Sequence, residues 1–404
     1  MSDACPKRLS GVMHRFAESF YDLALPLIIL SVTGSPVAMA ATFIAGYLAE
    51  MVASPVAGKV VGRVGRKHLL LTLVSVEILA TLSLSGQAYL GLLSTLSIVA
   101  HAAIIDFALR IYLIADIEYI PIATPKKLLP RANSWIQAGT SLSQVLGPAA
   151  AGGALALMSP PAVLLGSAGV FLVLCVVLSR IKERRGCDEI PSVSNGSLKN
   201  NTFRDAWEYL SLTHPTAKLL FIWKGVNDAL LAGPMLFLVY LFTELNGVSS
   251  GIYGWVAAFM ALGGLIAGVV VSLAMRTMNV VSIFFTSSMG IGVAIAILAW
   301  YPGLIAAASA SVLLMASVVF GGRAWIVHFQ SFVDSSYLGR IIALSQLAAS
   351  ITGVMGCVLF ASARSEYMFS LLLLIVAVSC LSAAIIGLFI SVRWARREKI
   401  IGLS

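Results

Sequence analysis

Long apolar runs recur along this chain, separated by short polar breaks. They fall near residues 16–32, 37–57, 69–89, 94–120, 133–157, 161–179, 217–243, 251–275, 279–300, 304–332, 341–363 and 367–391. A helix crosses a hydrocarbon core of ~30 Å with ~20 apolar residues, so each run is long enough for one span. The pattern predicts an all-α membrane protein of twelve transmembrane helices. One break stands apart. Residues 180–216 are polar and charged, whereas most other breaks are a few residues long. This linker is expected to separate an N-terminal bundle, 1–179, from a C-terminal bundle, 217–404, with six helices in each. Its end predicts a short surface helix, Phe203 to Leu212, with Phe203, Trp207 and Leu210 on one apolar face.

Composition strengthens this reading. Hydrophobic residues make up 59% of the chain and charged residues 11%, against roughly 45–50% and about 25% in soluble domains. The formal charge of +9 invites a nucleic-acid partner, but its distribution argues against one. With the N-terminus inside, nearly every cation falls on cytoplasmic segments: Lys7, Arg8 and Arg15; Lys59, Arg63, Arg66 and Lys67; Lys126, Lys127 and Arg131; the 180–218 loop; Arg276; Arg340; and Arg393, Arg396, Arg397 and Lys399. External loops contribute only Arg364. Such a bias orients a polytopic protein, here with both termini cytoplasmic in a bacterial inner membrane. Met1 to Ser10 is hydrophilic and lacks an apolar h-region, so no removable signal peptide is expected. The five cysteines, Cys5, Cys175, Cys187, Cys357 and Cys380, show no metal-ligand spacing. No metal and no cofactor is expected.

The two halves look duplicated. Arg131, Gln137 and Gly147 punctuate helix 5, and Arg340, Gln346 and Gly356 punctuate helix 11, each 209 positions further on. Helix 1 carries Asp22 followed by Pro26, and helix 7 carries Asp228 followed by Pro234. Repeated six-helix halves that enclose a midplane site describe a secondary transporter.

The break between helices 2 and 3 reads Gly58-Lys-Val-Val-Gly-Arg63-Val-Gly65-Arg66-Lys67. It resembles the loop signature Gly-x-x-x-Asp-Arg-x-Gly-Arg-Lys of the major facilitator superfamily, with Gly62 where the family has Asp. Glycines there permit a tight turn, and the basic residues pair with acids and helix ends that change between inward- and outward-open states. Read without the resemblance, the same loop is a positive-inside segment with turn glycines. Helix 5 reads Ser143-Gln-Val-Leu-Gly147-Pro148-Ala-Ala-Ala-Gly152-Gly153, which looks like the Gly-Pro motif of exporters in this superfamily, stretched by one residue. Small residues admit close helix approach and Pro148 bends the helix. Thr124-Pro125, Arg131-Ala-Asn133, Gln137-Ala-Gly139 and Gly339-Arg340 extend the likeness to the subgroup of enterobactin exporters and macrolide efflux pumps. The resemblance implies the major facilitator fold, two pseudo-symmetric six-helix bundles, with helices 1, 4, 7 and 10 lining a central cavity.

Ionisable residues inside spans are costly and default to functional roles. They are Glu18 and Asp22 in helix 1, Glu50 in helix 2, Glu77 in helix 3, His101, Asp106 and Arg110 in helix 4, Lys224 and Asp228 in helix 7, and Arg323 and His328 in helix 10. Most lie in the four helices that line the cavity by resemblance. Glu18 and Asp22 share a helical face, and close carboxylates resist joint ionisation, so they are the expected proton-coupling pair. Asp106 with Arg110, and Lys224 with Asp228, stand at i,i+4; each pair either lines the cavity or neutralises itself to permit insertion. Arg323, Gln137 and Gln346 complete the expected cavity set. Glu50 and Glu77 are expected in a cytoplasmic-side lock with loop arginines, and His101 and His328 as polar packing residues. Together these imply a proton-coupled exporter of a small amphiphilic, anionic compound such as a siderophore, metallophore or antibiotic peptide, driven by the proton gradient. Its partners would be the lipid bilayer, the small-molecule cargo and protons, and it would act as a monomer. The alternatives are a multidrug or macrolide efflux pump and an uptake symporter of the same fold. A membrane enzyme or a receptor fits less well, for want of a nucleophile elbow, a phosphate loop or a large sensing domain.

The orientation is directly testable. In a cysteine-free background, single cysteines within 33–36 or 364–366 should react with an impermeant thiol reagent in intact cells, and those within 186–200 should not. Labelling of 186–200 in intact cells would overturn the orientation.

Overall fold

A computed structural model of the chain describes residues 4–61, 64–123, 129–180, 207–211, 215–245, 247–274, 278–300, 303–333, 335–363 and 366–401. Helices form because the bilayer core offers no water, so each backbone N–H and C=O must be satisfied within its own segment. They are α1 (Ala4–Thr33), α2 (Pro36–Val60), α3 (Arg66–Tyr89), α4 (Thr95–Ala123), α5 (Leu129–Leu157), α6 (Pro160–Arg180), α7 (Pro215–Tyr240), α8 (Ser250–Ala274), α9 (Val280–Ala299), α10 (Leu304–Phe332), α11 (Ser335–Ala361) and α12 (Glu366–Ile401). Among the described residues eleven helices are long and apolar enough to span a membrane; α5, with 29 residues, is the remaining long helix. A π-helical turn, Leu241–Leu245, continues α7. The described residues contain no strand, only an isolated bridge between Val61 and Val64. Turns are tight. Gly34 joins α1 to α2 at φ 58°, a left-handed angle that favours glycine, and Ser35 then caps α2 by accepting a bond from the Ala38 N–H at 3.3 Å.

The chain divides into two compact units, Met1–Lys199 with Val239–Ala258, and Asn200–Leu238 with Phe259–Ser404. Within the first, α1 packs on α5 and α6, α2 on α4, and α3 on α4 and α6. Its buried core joins Ala17, Val74, Tyr112, Ala115, Phe171 and Leu174. Within the second, α9 packs on α10 and α12, around Leu220, Phe221, Phe284, Phe285, Trp325 and Phe329. Leu210 is buried in that second core, and Trp207 lies edge-on to Phe221 at 5.7 Å, so residues 207–211 dock the apolar face that the linker helix was expected to carry. Phe203 lies outside the described residues. Leu79, Leu172, Val269, Ile375 and Phe389 are each more than half exposed, an apolar surface suited to lipid.

The internal duplication extends into the packing. In the first unit Gly147 of α5 stands against the Ser19–Phe20 backbone of α1, where an added Cβ would meet the Phe20 nitrogen at 2.9 Å. In the second, Gly356 of α11 stands against Ala232 and Gly233 of α7, with the Gly233 nitrogen 3.0 Å from the same imagined atom. The glycines 209 positions apart therefore do one job twice: each lets a fifth helix of its half lie on the first. Gly139 and Ser143 extend the α5 seam. Gly139 accommodates Val12, and the Ser143 hydroxyl donates to the Val12 carbonyl at 3.0 Å. Gly152 faces elsewhere, onto Gly254 and the Ser250 carbonyl of α8 within the first unit, whereas Gly153 meets nothing.

This split gives a paired prediction. Gly152→Ala should destabilise the purified protein by about 1–3 kcal/mol, as overpacking typically does, read as a lower thermal unfolding midpoint. Gly153→Ala should be neutral or stabilising, because alanine is the better helix former and nothing obstructs its methyl group. Equal tolerance of both would show that the close approach to Gly254 is not maintained.

Candidate transport site

In the first unit four carboxyl groups on three helices act on one another electrostatically. Asp22, near the middle of the Ser10–Thr33 span, is exposed, while Leu23 through Leu30 are all buried. It lies within electrostatic reach of Glu18 on its own helix, Asp106 on α4 and Glu50 on α2. Asp106 is at the middle of the Thr95–Asp116 span, and its carboxylate occupies the room left by Gly46, where any side chain on α2 would collide with it. The Tyr21 hydroxyl is buried, has no hydrogen-bond partner among the described residues, and lies in reach of both Asp106 and Asp22.

The cations of this unit are placed differently from what spacing suggested. Among the described residues Arg110 makes no ion pair with Asp106, one turn away. Its Nε–H donates to the Ser54 hydroxyl of α2 at 3.4 Å, and its charge acts on Glu50. Glu18 is paired with Arg15 at 3.0 Å, so among the described residues only Asp22 of the expected proton-coupling pair is left without a cation at bonding distance. Glu77 also differs from expectation. It is fully buried against His14, with no arginine at bonding distance among the described residues, because it lies mid-helix and points into the α1–α3–α4 core rather than toward the loop.

In the second unit Lys224 and Asp228 form the i,i+4 pair, at 2.5 Å, each about one quarter exposed. The Lys224 ammonium also sits over the Trp325 ring of α10, 5.6 Å from its centroid. Trp325 is buried, stacked on Phe329 at 4.3 Å, and its indole N–H lacks a partner among the described residues. Asn227 and Trp223 of α7 both donate to the Ser288 hydroxyl of α9, at 2.9 and 3.3 Å. Arg323 and Gln346 are exposed, and no ion pair or hydrogen bond joins Arg323 to the described residues. The side chain of Gln137 lies outside the described residues.

Of the α2–α3 loop, Gly62 and Arg63 and the side chain of Arg66 lie outside the described residues. Gly58 falls in the last turn of α2. Gly65 caps α3 at φ −52°, an angle open to any residue, so the turn does not draw on its conformational freedom. The Lys67 ammonium donates to the Ser179 carbonyl at the end of α6, 2.7 Å away, a cation on a helix C-terminus. Helix α5 runs unbroken through Pro148.

Residues 9–357 match the family described as Major Facilitator Superfamily. The chain belongs to that superfamily. It is a multi-pass membrane transporter, and several solved structures share its fold. A bacterial homologue of the iron transporter ferroportin, in an inward-facing state, superposes with TM-score 0.74 at 16% identity over 96% of this chain and 98% of that one. A nucleoside transporter gives 0.75 at 11% identity over 95% and 98%, and a D-xylose–proton symporter 0.72 at 12% over 94% and 97%. At these identities the likeness is one of fold. No curated protein matches the chain.

Several residues of this superfamily member escape sequence reasoning. His14 falls before the first apolar run, although α1 begins at Ala4 and buries Ser10, His14, Ala17 and Tyr21 along one face. That 4-3-4 spacing is the available signal. Ser54, Tyr21, Ser288 and Trp325 carry no charge and sit in apolar runs, so only three-dimensional proximity distinguishes them.

Proposed function

We propose that this transporter is a proton-coupled exporter of the enterobactin-exporter and macrolide-efflux type, which moves a small amphiphilic anionic compound out of a bacterial cytoplasm through the inner membrane as a monomer. The observation that carries the reading is Asp22: a mid-span carboxyl group that reaches open space while its neighbours are buried, with three other carboxyl groups in electrostatic reach and its helix-mate Glu18 already held by Arg15. Its protonation would change the charge balance of α1, α2 and α4 together. The stretched Gly-Pro motif of α5 supports the outward direction. The cationic residues of α7 and α10 support an anionic cargo: Arg323 is exposed and unpaired among the described residues, and Lys224 presents its ammonium between a carboxylate and an indole. A siderophore, metallophore or peptide with carboxylate or catecholate groups would satisfy them.

One observation favours a second reading. In the first unit Glu18, Asp22, Glu50 and Asp106 outnumber the cations Arg15 and Arg110 in the cluster, which would suit a macrolide-like or other cationic drug. Direction separates export from uptake: inside-out vesicles should accumulate the cargo when acidified inside, and right-side-out vesicles should not.

Coupling is tested at Asp22. Asp22→Asn keeps the side-chain volume and cannot titrate, so gradient-driven efflux should fall to background and its pH dependence flatten, with the protein still in the membrane. Full efflux with the normal pH profile would remove Asp22 from the mechanism. Cargo charge is tested at Arg323. Arg323→Gln should weaken binding of an anionic cargo by roughly tenfold or more, the scale of one charge-assisted hydrogen bond, and leave neutral analogues nearly unchanged. Arg323→Lys should retain part of the affinity, as a point charge without the bidentate fork. Affinities of the purified variants across compounds of different charge decide it; equal losses for all would assign Arg323 a structural role, and a loss confined to cations at Asp106→Asn would favour the second reading.

A further inference from the structure

The deepest pair of ionisable groups in the first unit is not part of the carboxyl cluster. His14 of α1 and Glu77 of α3 are both fully buried, and the His14 Nε2 lies 3.1 Å from each oxygen of the Glu77 carboxyl group. The imidazole lies flat on the Tyr112 ring of α4, centroids 3.6 Å apart and planes 7° from parallel, and meets Phe171 of α6 edge-on at 6.0 Å. The His14 Nδ1 is buried and has no partner among the described residues.

These contacts leave the pair with two imperfect charge states. With one exchangeable proton it is neutral overall, as imidazolium and carboxylate or as imidazole and carboxylic acid, but an N–H at Nδ1 is then buried without an acceptor. Without that proton Nε2–H still donates to the carboxylate and Nδ1 is a bare acceptor, but a net negative charge is buried. Each state carries a defect, an orphan donor in one and an unbalanced charge beside a bare acceptor in the other, and the aromatic face of Tyr112 offsets part of the cost of the protonated ring. A purely structural clasp between α1 and α3 would gain more from apolar side chains, which need no partner.

We propose that His14 and Glu77 form a second proton-binding site, distinct from Asp22 and joined electrostatically to the carboxyl cluster through α4, which packs on α3 and carries both Tyr112, stacked on the imidazole, and Asp106. The other charges around the pair are largely committed. On α1, Arg15 and Glu18 hold each other; on α2, Glu50 faces Arg110. On α3, Lys67 donates to Ser179 and His68 is exposed. Asp106, Arg110 and Asp116 are the charges of α4 near the pair, and α6 brings Arg180 only at its end. Among residues 139–157 of α5 none is ionisable. One proton bound adds one positive charge to the pair, and its uptake and loss follow the charge on Asp106.

The experiment reads the ring itself and needs no transport, so it can fail while the Asp22 reading stands, or the reverse. The full-length protein, ring-15N-labelled at histidine and held in nanodiscs, is titrated between about pH 5 and pH 9, the range in which imidazoles change charge. His14→Gln identifies the His14 signals by subtraction. They should move through one transition, displaced to more acid pH in Asp106→Asn because one neighbouring negative charge is gone. Signals that stay constant in the folded protein would make the pair a fixed structural clasp. A transition of unchanged midpoint in Asp106→Asn would leave a proton site with no link to the cluster, and would overturn the coupling. Should His14→Gln fail to fold, Glu77→Gln, which alters the same signals through the shared hydrogen bond, supplies the assignment.

Discussion

Everything in this protein follows from the absence of water around its helices. Backbone groups are satisfied inside each segment, which fixes the helical architecture, but side-chain charges have no such remedy. Each must find a partner, a hydrated surface or a compact neighbourhood of other polar groups. The consequence is visible in where charges collect. Outside the helix ends, α5, α6, α9, α11 and α12 are almost free of ionisable residues, and they supply small residues and apolar surface instead. The charges gather on α1 to α4 in one unit and on α7 and α10 in the other.

Close packing of small residues is the complement of that concentration. Gly147 and Gly356 let α5 and α11 lie directly on α1 and α7, the helices that carry Asp22 and Asp228. A helix seated backbone to backbone has little freedom to rotate, so the carboxyl groups it bears keep a fixed azimuth. Gly46 acts on the same principle at shorter range, because its missing side chain is the space that the Asp106 carboxylate fills. A glycine 60 positions from Asp106 in the sequence can thus set where that charge stands.

Much of the fold was legible because hydropathy is a one-dimensional property. The twelve expected runs agree with the twelve long helices within a few residues at most ends, and the largest departure, the start of α1 at Ala4, lies where polar and apolar residues alternate. The site was legible only in part. Residues that share a helix were paired correctly when geometry left one choice, as for Lys224 and Asp228. Arg110 shows the limit. Its helical neighbour Asp106 is one turn away, yet Ser54 and Glu50 on α2 compete for the same guanidinium, and no single-helix rule ranks partners across a helix interface. Glu77 went astray for the same reason, since His14 lies 63 positions away in sequence.

The misplaced pairing of Arg110 has a physical consequence of its own. Had it bridged to Asp106, α4 would carry a self-neutralised pair and the α1–α4 region would hold Asp22 as its one loose charge. With the guanidinium turned to α2, Asp106 joins Asp22, and the mid-span region keeps two carboxyl groups with the buried Tyr21 hydroxyl in reach of both. Two such groups close together cannot both ionise as easily as one alone. A cation that arrives near either would relieve their mutual repulsion. A first unit built in this way responds to charge at its centre, while the second holds Lys224 between Asp228 and Trp325, where an incoming anion would compete with the Asp228 carboxylate for the same ammonium. The two units thus offer opposite electrostatic preferences, grouped carboxyl groups in the first and an ammonium over an indole in the second.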